Sequence, residues 1–152
     1  MTAKPVSALT DHLGFWLRAV SNHVSHAFAA KVAAHGVTVA EWVVMRSLYG
    51  REPTAPSRLA AEIGLTRGAI TRLADRLIAK SLIVRRASAE DGRAQTLALT
   101  KRGADLVPAL ADLADRNDAA FFEHLSADDR KRLGRMLRHL VERGRMTAIP
   151  ID

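Results

Sequence analysis

The chain has 152 residues, 48% of them hydrophobic and 26% charged, which fits one packed domain (residues 1–152) and excludes wholesale disorder. It has no cysteine, which excludes disulfides, thiolate zinc sites and thiol-based redox sensing, and no apolar run reaches the roughly 18 residues of a membrane span. The net charge of +7 is uneven: Lys/Arg outnumber Asp/Glu by 5 to 3 in residues 1–53 and by 10 to 4 in residues 54–103, but stand 8 to 9 in residues 104–152.

A long amphipathic helix is predicted over residues 7–34, with Leu13, Trp16, Leu17, Val20, Val24, Ala27 and Phe28 spaced by three and four. Gly36 suits the left-handed position that ends it. Thr38 and Glu41 then fit a capping box, opening a helix that carries Trp42, Val43, Met45, Arg46 and Leu48 and stops near Gly50. Thr54 is the expected N-cap of a short helix, Ala55 to Ile63, with Pro56 in its first turn and Gly64 at its end. Leu65 plugs the turn. Thr66 caps a helix from Arg67 to Lys80 whose Ile70, Leu73, Ala74, Leu77 and Ile78 form a complete apolar stripe.

Leu82–Arg86 and Ala94–Leu99 read as the two strands of a hairpin, the second alternating Leu97 and Leu99 with Thr96 and Ala98. Thr100 caps a helix towards residue 124, in which Pro108 should produce a kink or end a first segment. Ser126, with Asp128 and Asp129 behind it, opens a last helix striped by Leu133, Met136, Leu137, Leu140 and Val141 and closed by Gly144. The predicted fold is mainly α with a small antiparallel β-wing, a winged helix-turn-helix (residues 37–103) flanked by helices from both termini (7–35 and 104–146).

Residues 54–103 hold the charge excess, where a polyanion would sit. An arginine-rich genome would spread arginine everywhere and does not account for the neutral last third. The exposed face of the 67–80 helix combines Gly68, Arg72, Asp75 and Ala79, flanked by Ala69, Thr71 and Arg76. Gly68 and Ala69 allow close approach to a groove, and the helix N-terminus favours phosphate. Arg67 and Arg72 can each present a fork to guanine, Thr71 can touch a base edge, and Arg76 is placed for a phosphate. Arg85 and Arg86 on the first strand are further candidates for DNA contact, and beyond them the hairpin tip carries Asp91-Gly92-Arg93. Gly92 permits a tight turn, Arg93 can enter a narrow minor groove, and Asp91 can brace an arginine or nearby backbone N–H groups. A solvated face and a polar turn with a local ion pair are the alternatives.

The stretch Thr66-Arg67-Gly68-Ala69-Ile70-Thr71-Arg72-Leu73-Ala74-Asp75-Arg76-Leu77, with Leu82-Ile83, Asp91-Gly92-Arg93, Leu99-Thr100 and Gly103, resembles the MarR family of winged-helix transcriptional regulators. Ser81 departs from it, standing where a glycine is common. The resemblance implies a homodimer with interlocked terminal helices on a two-fold symmetric stretch of double-stranded DNA, often controlled by a small aromatic ligand. It implies a ligand-responsive repressor; a constitutive DNA-binding protein and a winged helix used for protein contacts are the other readings.

Dimerisation also follows from the stripes. Leu13, Val20 and Phe28 at one end and Leu133, Leu137 and Leu140 at the other are more apolar surface than a small monomer easily covers, unless the three helices pack within one chain. In the family, effectors bind between the dimerisation helices and the winged helix. His12 and Trp16 could line such a cleft and Arg46 could meet a ligand carboxylate, although Trp16 as core and Arg46 as a solvated charge read as well. His23 and His26 lie one turn apart, but zinc needs three or four ligands, so neither metal nor cofactor is expected. No phosphate-binding Gly-rich loop, nucleophile motif or carboxylate pair points to an enzyme. The opening Met1-Thr2-Ala3-Lys4-Pro5 lacks a secretory apolar segment, so a cytoplasmic location is expected.

Overall fold

The computed structural model describes residues 2–144; residues 145–146 of the last predicted segment lie outside them. A short 3-10 turn, Leu9–Asp11, is followed by α1 (Leu13–Ala33), α2 (Val39–Leu48), α3 (Pro56–Ile63) and α4 (Arg67–Ala79). The hairpin β1 (Ile83–Ala87) and β2 (Gln95–Leu99) leads into α5 (Lys101–Phe122) and α6 (Ala127–Arg143). The first helix starts at Leu13 rather than residue 7 because Asp11 closes its own turn, accepting the Ala8 N–H at 2.8 Å, and His12 is extended at φ −100°.

The core lies beneath α2, α3 and α4. Val44, Met45 and Leu48 of α2 meet Leu59 and Ile63 of α3 and Ile70, Leu73 and Leu77 of α4, and Leu97, Val107 and Leu110 close the cluster. The α3–α4 corner follows from three residues. Gly64 takes φ +82°, Leu65 packs on the core, and the Thr66 hydroxyl accepts the Ala69 N–H at 3.1 Å.

β1 and β2 pair antiparallel with Ile83 opposite Leu99 and Arg85 opposite Leu97. Thr54 does not cap α3; Ala55 does, with Pro56 in the first turn. Thr54 instead adds a bridge to the ribbon, its N–H donating to the Leu97 carbonyl at 2.9 Å and its carbonyl accepting from the Leu97 N–H at 2.8 Å. That bridge satisfies a buried backbone on both sides, which a cap would have left open.

Pro108 does not end α5, which runs unbroken to Phe122. The proline is exposed, while Gly103, Val107 and Leu110 around it are buried. Packing holds the helix through the hydrogen bond that proline lacks. Gly103 is required there: a Cβ would stand 2.0 Å from the Leu82 carbonyl oxygen. Ser81, at the position where glycine is common, itself takes the left-handed backbone at φ +60°. Its carbonyl accepts the Thr100 hydroxyl at 2.7 Å.

The Thr38–Glu41 capping box forms only in half. The Thr38 hydroxyl accepts the Glu41 N–H at 3.1 Å, but the Glu41 carboxylate takes the Thr38 hydroxyl at 3.2 Å rather than its N–H, and accepts the Lys80 ammonium at 2.7 and 3.0 Å. A buried carboxylate needs a cation more than an N-cap needs a second acceptor. Gly144 closes α6 with ordinary right-handed geometry.

Candidate nucleic-acid interface

The apolar stripe of α4 consumes Ile70, Leu73, Ala74 and Leu77, which turns Arg67, Gly68, Thr71, Arg72, Asp75 and Arg76 outward. Ala69 is half-buried at the edge of that face. The Thr71 hydroxyl donates back to the Arg67 carbonyl at 2.9 Å. Gly68 has free space: an added Cβ would meet only Arg72 Nη1 at 3.5 Å and Thr66 Oγ1 at 4.0 Å. Nothing among the described residues therefore requires a glycine there.

Arg85 lies on β1 beside α4, and its guanidinium donates to Asp75 Oδ1 at 2.5 Å. Arg85 is thus engaged in fastening the ribbon to the middle of α4, a role that chain order alone does not distinguish from a phosphate contact. Among the described residues, Arg67, Arg72, Arg76, Arg86 and Arg93 make no ion pair. Their charge is uncompensated and exposed along one helix and one ribbon.

The ribbon tip is shaped by side chains. Asp91 Oδ1 accepts the Arg93 N–H at 3.0 Å, so it braces backbone rather than an arginine. The Ser88 hydroxyl accepts the N–H groups of Glu90 and Asp91 at 3.3 and 3.4 Å. Gly92 does not use a left-handed backbone, since the positive-φ glycines are Gly36, Gly50 and Gly64. The Asx and Ser hydrogen bonds make the turn that the sequence assigns to Gly92.

The expected ligand residues are not brought together. Trp16 is 52% exposed and its indole donates to the Thr10 carbonyl at 3.0 Å. His12 sits at the start of α1, and Arg46 lies over the exposed Tyr49 ring at 5.8 Å. A cavity of about 790 Å³ opens farther along α1, between α1, α2 and α5. Phe28, Trp42, His26, Asn117 and Asp118 are among its walls, and Phe28 and Trp42 meet edge to face at 6.4 Å. None of His12, Trp16 and Arg46 lines it. Asn117 is buried there, accepting from Lys31 Nζ at 2.7 Å and donating to the Val24 carbonyl at 3.2 Å. Partners 86 and 93 residues away in the chain leave no local pattern that would have found it. No group of three or more His, Asp or Glu suited to a metal occurs among the described residues, nor does a helix there qualify as a membrane span.

Leu13, Leu17 and Val20 of α1 and Met136, Leu137, Leu140 and Val141 of α6 are exposed apolar groups, and α6 buries no residue. Leu133 is half-buried.

A short helix, a tight corner, an outward-facing basic helix and a braced basic ribbon define a winged helix-turn-helix, a DNA-binding class. Residues 35–94 match a family model described as MarR family. The chain is 27% identical to the HTH-type transcriptional regulator MgrA of Staphylococcus aureus over 130 residues, 85% of this chain and 87% of that protein. It superimposes on a probable transcriptional regulator from Pseudomonas aeruginosa with a TM-score of 0.76 and 26% identity, over 88% of this chain and 99% of the other. Its fold is also that of a mutant MarR from E. coli complexed with operator DNA (TM-score 0.76, 23% identity, 85% and 93% covered). It is shared too by CouR from Rhodococcus jostii RHA1 bound to p-coumaroyl-CoA (TM-score 0.75, 24% identity, 95% and 100% covered). The chain thus matches the MarR family model over residues 35–94 and is similar over most of its length to HTH-type transcriptional regulators.

Proposed function

We propose that the chain acts as a homodimeric, ligand-responsive repressor on a palindromic operator. The observation that carries this reading is the set of unpaired guanidinium groups spanning α4 and the ribbon. Arg67, Thr71 and Arg72 read base edges, with Gly68 and Ala69 bringing the backbone close. Arg76 and Arg86 hold phosphates, Arg93 enters the minor groove, and Asp91 and Arg85 fix the ribbon that carries it. The exposed apolar faces of α1 and α6 support a second copy as their cover. The cavity between α1, α2 and α5 supports an aromatic effector, and CouR's complex with p-coumaroyl-CoA supports the same idea.

Selection of bound fragments from random DNA tests the reading and should return a two-fold symmetric sequence. On that sequence, Arg93→Ala should weaken binding by about 1–3 kcal/mol. A family of unrelated selected fragments would overturn operator reading, and unchanged binding by Arg93→Ala would remove the ribbon from it. Screening aromatic acids and amines for release of the bound operator tests the effector; release by none of them leaves a constitutive regulator.

A further inference from the structure

Glu41 is the one buried ionisable residue among the described residues, at 1% exposure. It lies in the first turn of α2, on a different element from the proposed reading face. Its partner, Lys80, is the residue that ends α4. The Lys80 ammonium has three N–H groups and three acceptors: Glu41 Oε2 at 2.7 Å, Glu41 Oε1 at 3.0 Å and the Gly36 carbonyl at 2.8 Å. The Lys80 backbone is held as well, its carbonyl accepting from Arg102 Nη1 at 3.1 Å. One side chain therefore joins the α1–α2 corner, the first turn of α2 and the C-terminal end of the basic helix.

We infer that Glu41 and Lys80 are positioning residues for DNA reading, a latch that sets the pose of α4 against the body of the protein. This rests on the role proposed above for α4. At its N-terminal end α4 is held locally, by Thr66 and the Gly64–Leu65 corner. The apolar stripe beneath it fixes its depth, and the Glu41–Lys80 pair adds the directional hydrogen bonds that hydrophobic contact does not supply. A charge pair whose three hydrogen bonds are all made has one geometry. Bidentate contacts to bases need side chains placed to a fraction of an ångström, whereas phosphate contacts tolerate displacement. Loosening this latch should therefore cost sequence discrimination before it costs general affinity for DNA.

The test compares the full-length wild type with Glu41→Gln on the selected operator and on a random-sequence duplex, across a salt series. Gln keeps the shape and an acceptor oxygen but removes the charge, and Lys80 remains in place. Operator affinity should fall by about tenfold, with random-duplex affinity unchanged or raised and the salt slope preserved. Wild-type discrimination in a folded Glu41→Gln protein overturns the latch. A purely structural pair predicts that outcome, since it would lower the melting temperature alone. If Glu41→Gln melts below the assay temperature, the Glu41→Leu, Lys80→Met double variant refills the site without charge and is judged on the same comparison. A wild type that binds both duplexes equally overturns operator reading itself, and the latch with it.

Discussion

At the scale of single residues, Gly68 separates what the chain needs for folding from what the proposed DNA contact needs. It sits in the first turn of α4 with space where a Cβ would go. Its backbone is not left-handed, so alanine fits without strain. Gly68→Ala should raise stability by about 0.5–1 kcal/mol, because alanine loses less conformational freedom in a helix. Against the selected operator the same methyl stands between the helix backbone and the groove, so affinity should drop while the melting temperature rises. A thermal melt and a titration on one preparation check both signs; affinity that survives would remove the close approach from the mechanism. Gly103 is the opposite case, since its missing Cβ is imposed by the Leu82 carbonyl inside the chain. Ser81 holds the left-handed backbone at φ +60°, a conformation that glycine adopts at less cost.

At the scale of elements, α3 is anchored by an exposed charge cluster that reports on pH. Glu62 accepts from Arg51 at 2.8 Å and from Arg58 at 3.0 Å, and these bonds, Arg51's first, hold its carboxyl below the usual 4.5. A carboxyl whose folded value is depressed contributes stability above its unfolded value and loses it as pH falls through the folded one. Thermal midpoints should therefore decline on acidification below the ordinary carboxylate range, and Glu62→Gln should flatten part of that decline. An identical pH profile in the variant would show that the cluster does not act on stability. The elements themselves are legible in the sequence because each helix carries a stripe at helical spacing and each corner a glycine or a hydroxyl cap. The Thr54 bridge, the Glu41–Lys80 pair and the Asn117 contacts are not legible, because they join distant positions and periodicity reports only on near neighbours. Pro108 misleads for a related reason: local propensity argues for a break, and burial of Val107 and Leu110 decides against it. The exposed basic face of α4 is legible as the complement of a complete stripe, but the Asp75–Arg85 pair is not, so the two hairpin arginines look equivalent in the sequence. The predicted ligand residues His12 and Trp16 stand at the start of α1, away from the cavity farther along that helix.

At the scale of the whole molecule, α6 and the first half of α1 carry the proposed dimer. Both are amphipathic, yet their apolar faces are exposed, from Leu13 at 87% to Leu137 at 39%. A chain whose core is complete without α6 has no folding reason to keep Met136, Leu137, Leu140 and Val141 in register. The proposed second copy would supply one, and a two-fold axis through that surface would present two α4 helices to one side of a duplex, about 34 Å or one DNA turn apart. Leu137→Asp combined with Leu140→Asp should give a folded monomer by sedimentation at micromolar concentration, because neither residue contributes to the core. Its operator affinity should fall by roughly two to four orders of magnitude, since each half-site then binds without the effective concentration the partner provides. The DNA side offers an independent check. Inserting about five base pairs between the half-sites turns one of them to the opposite face of the duplex. The wild-type dimer should then lose the same factor, while the monomeric variant, having no second reader to misplace, should bind the spaced and unspaced sites alike. A wild type that sediments as a monomer, or that tolerates the insertion, is incompatible with paired reading by a rigid dimer.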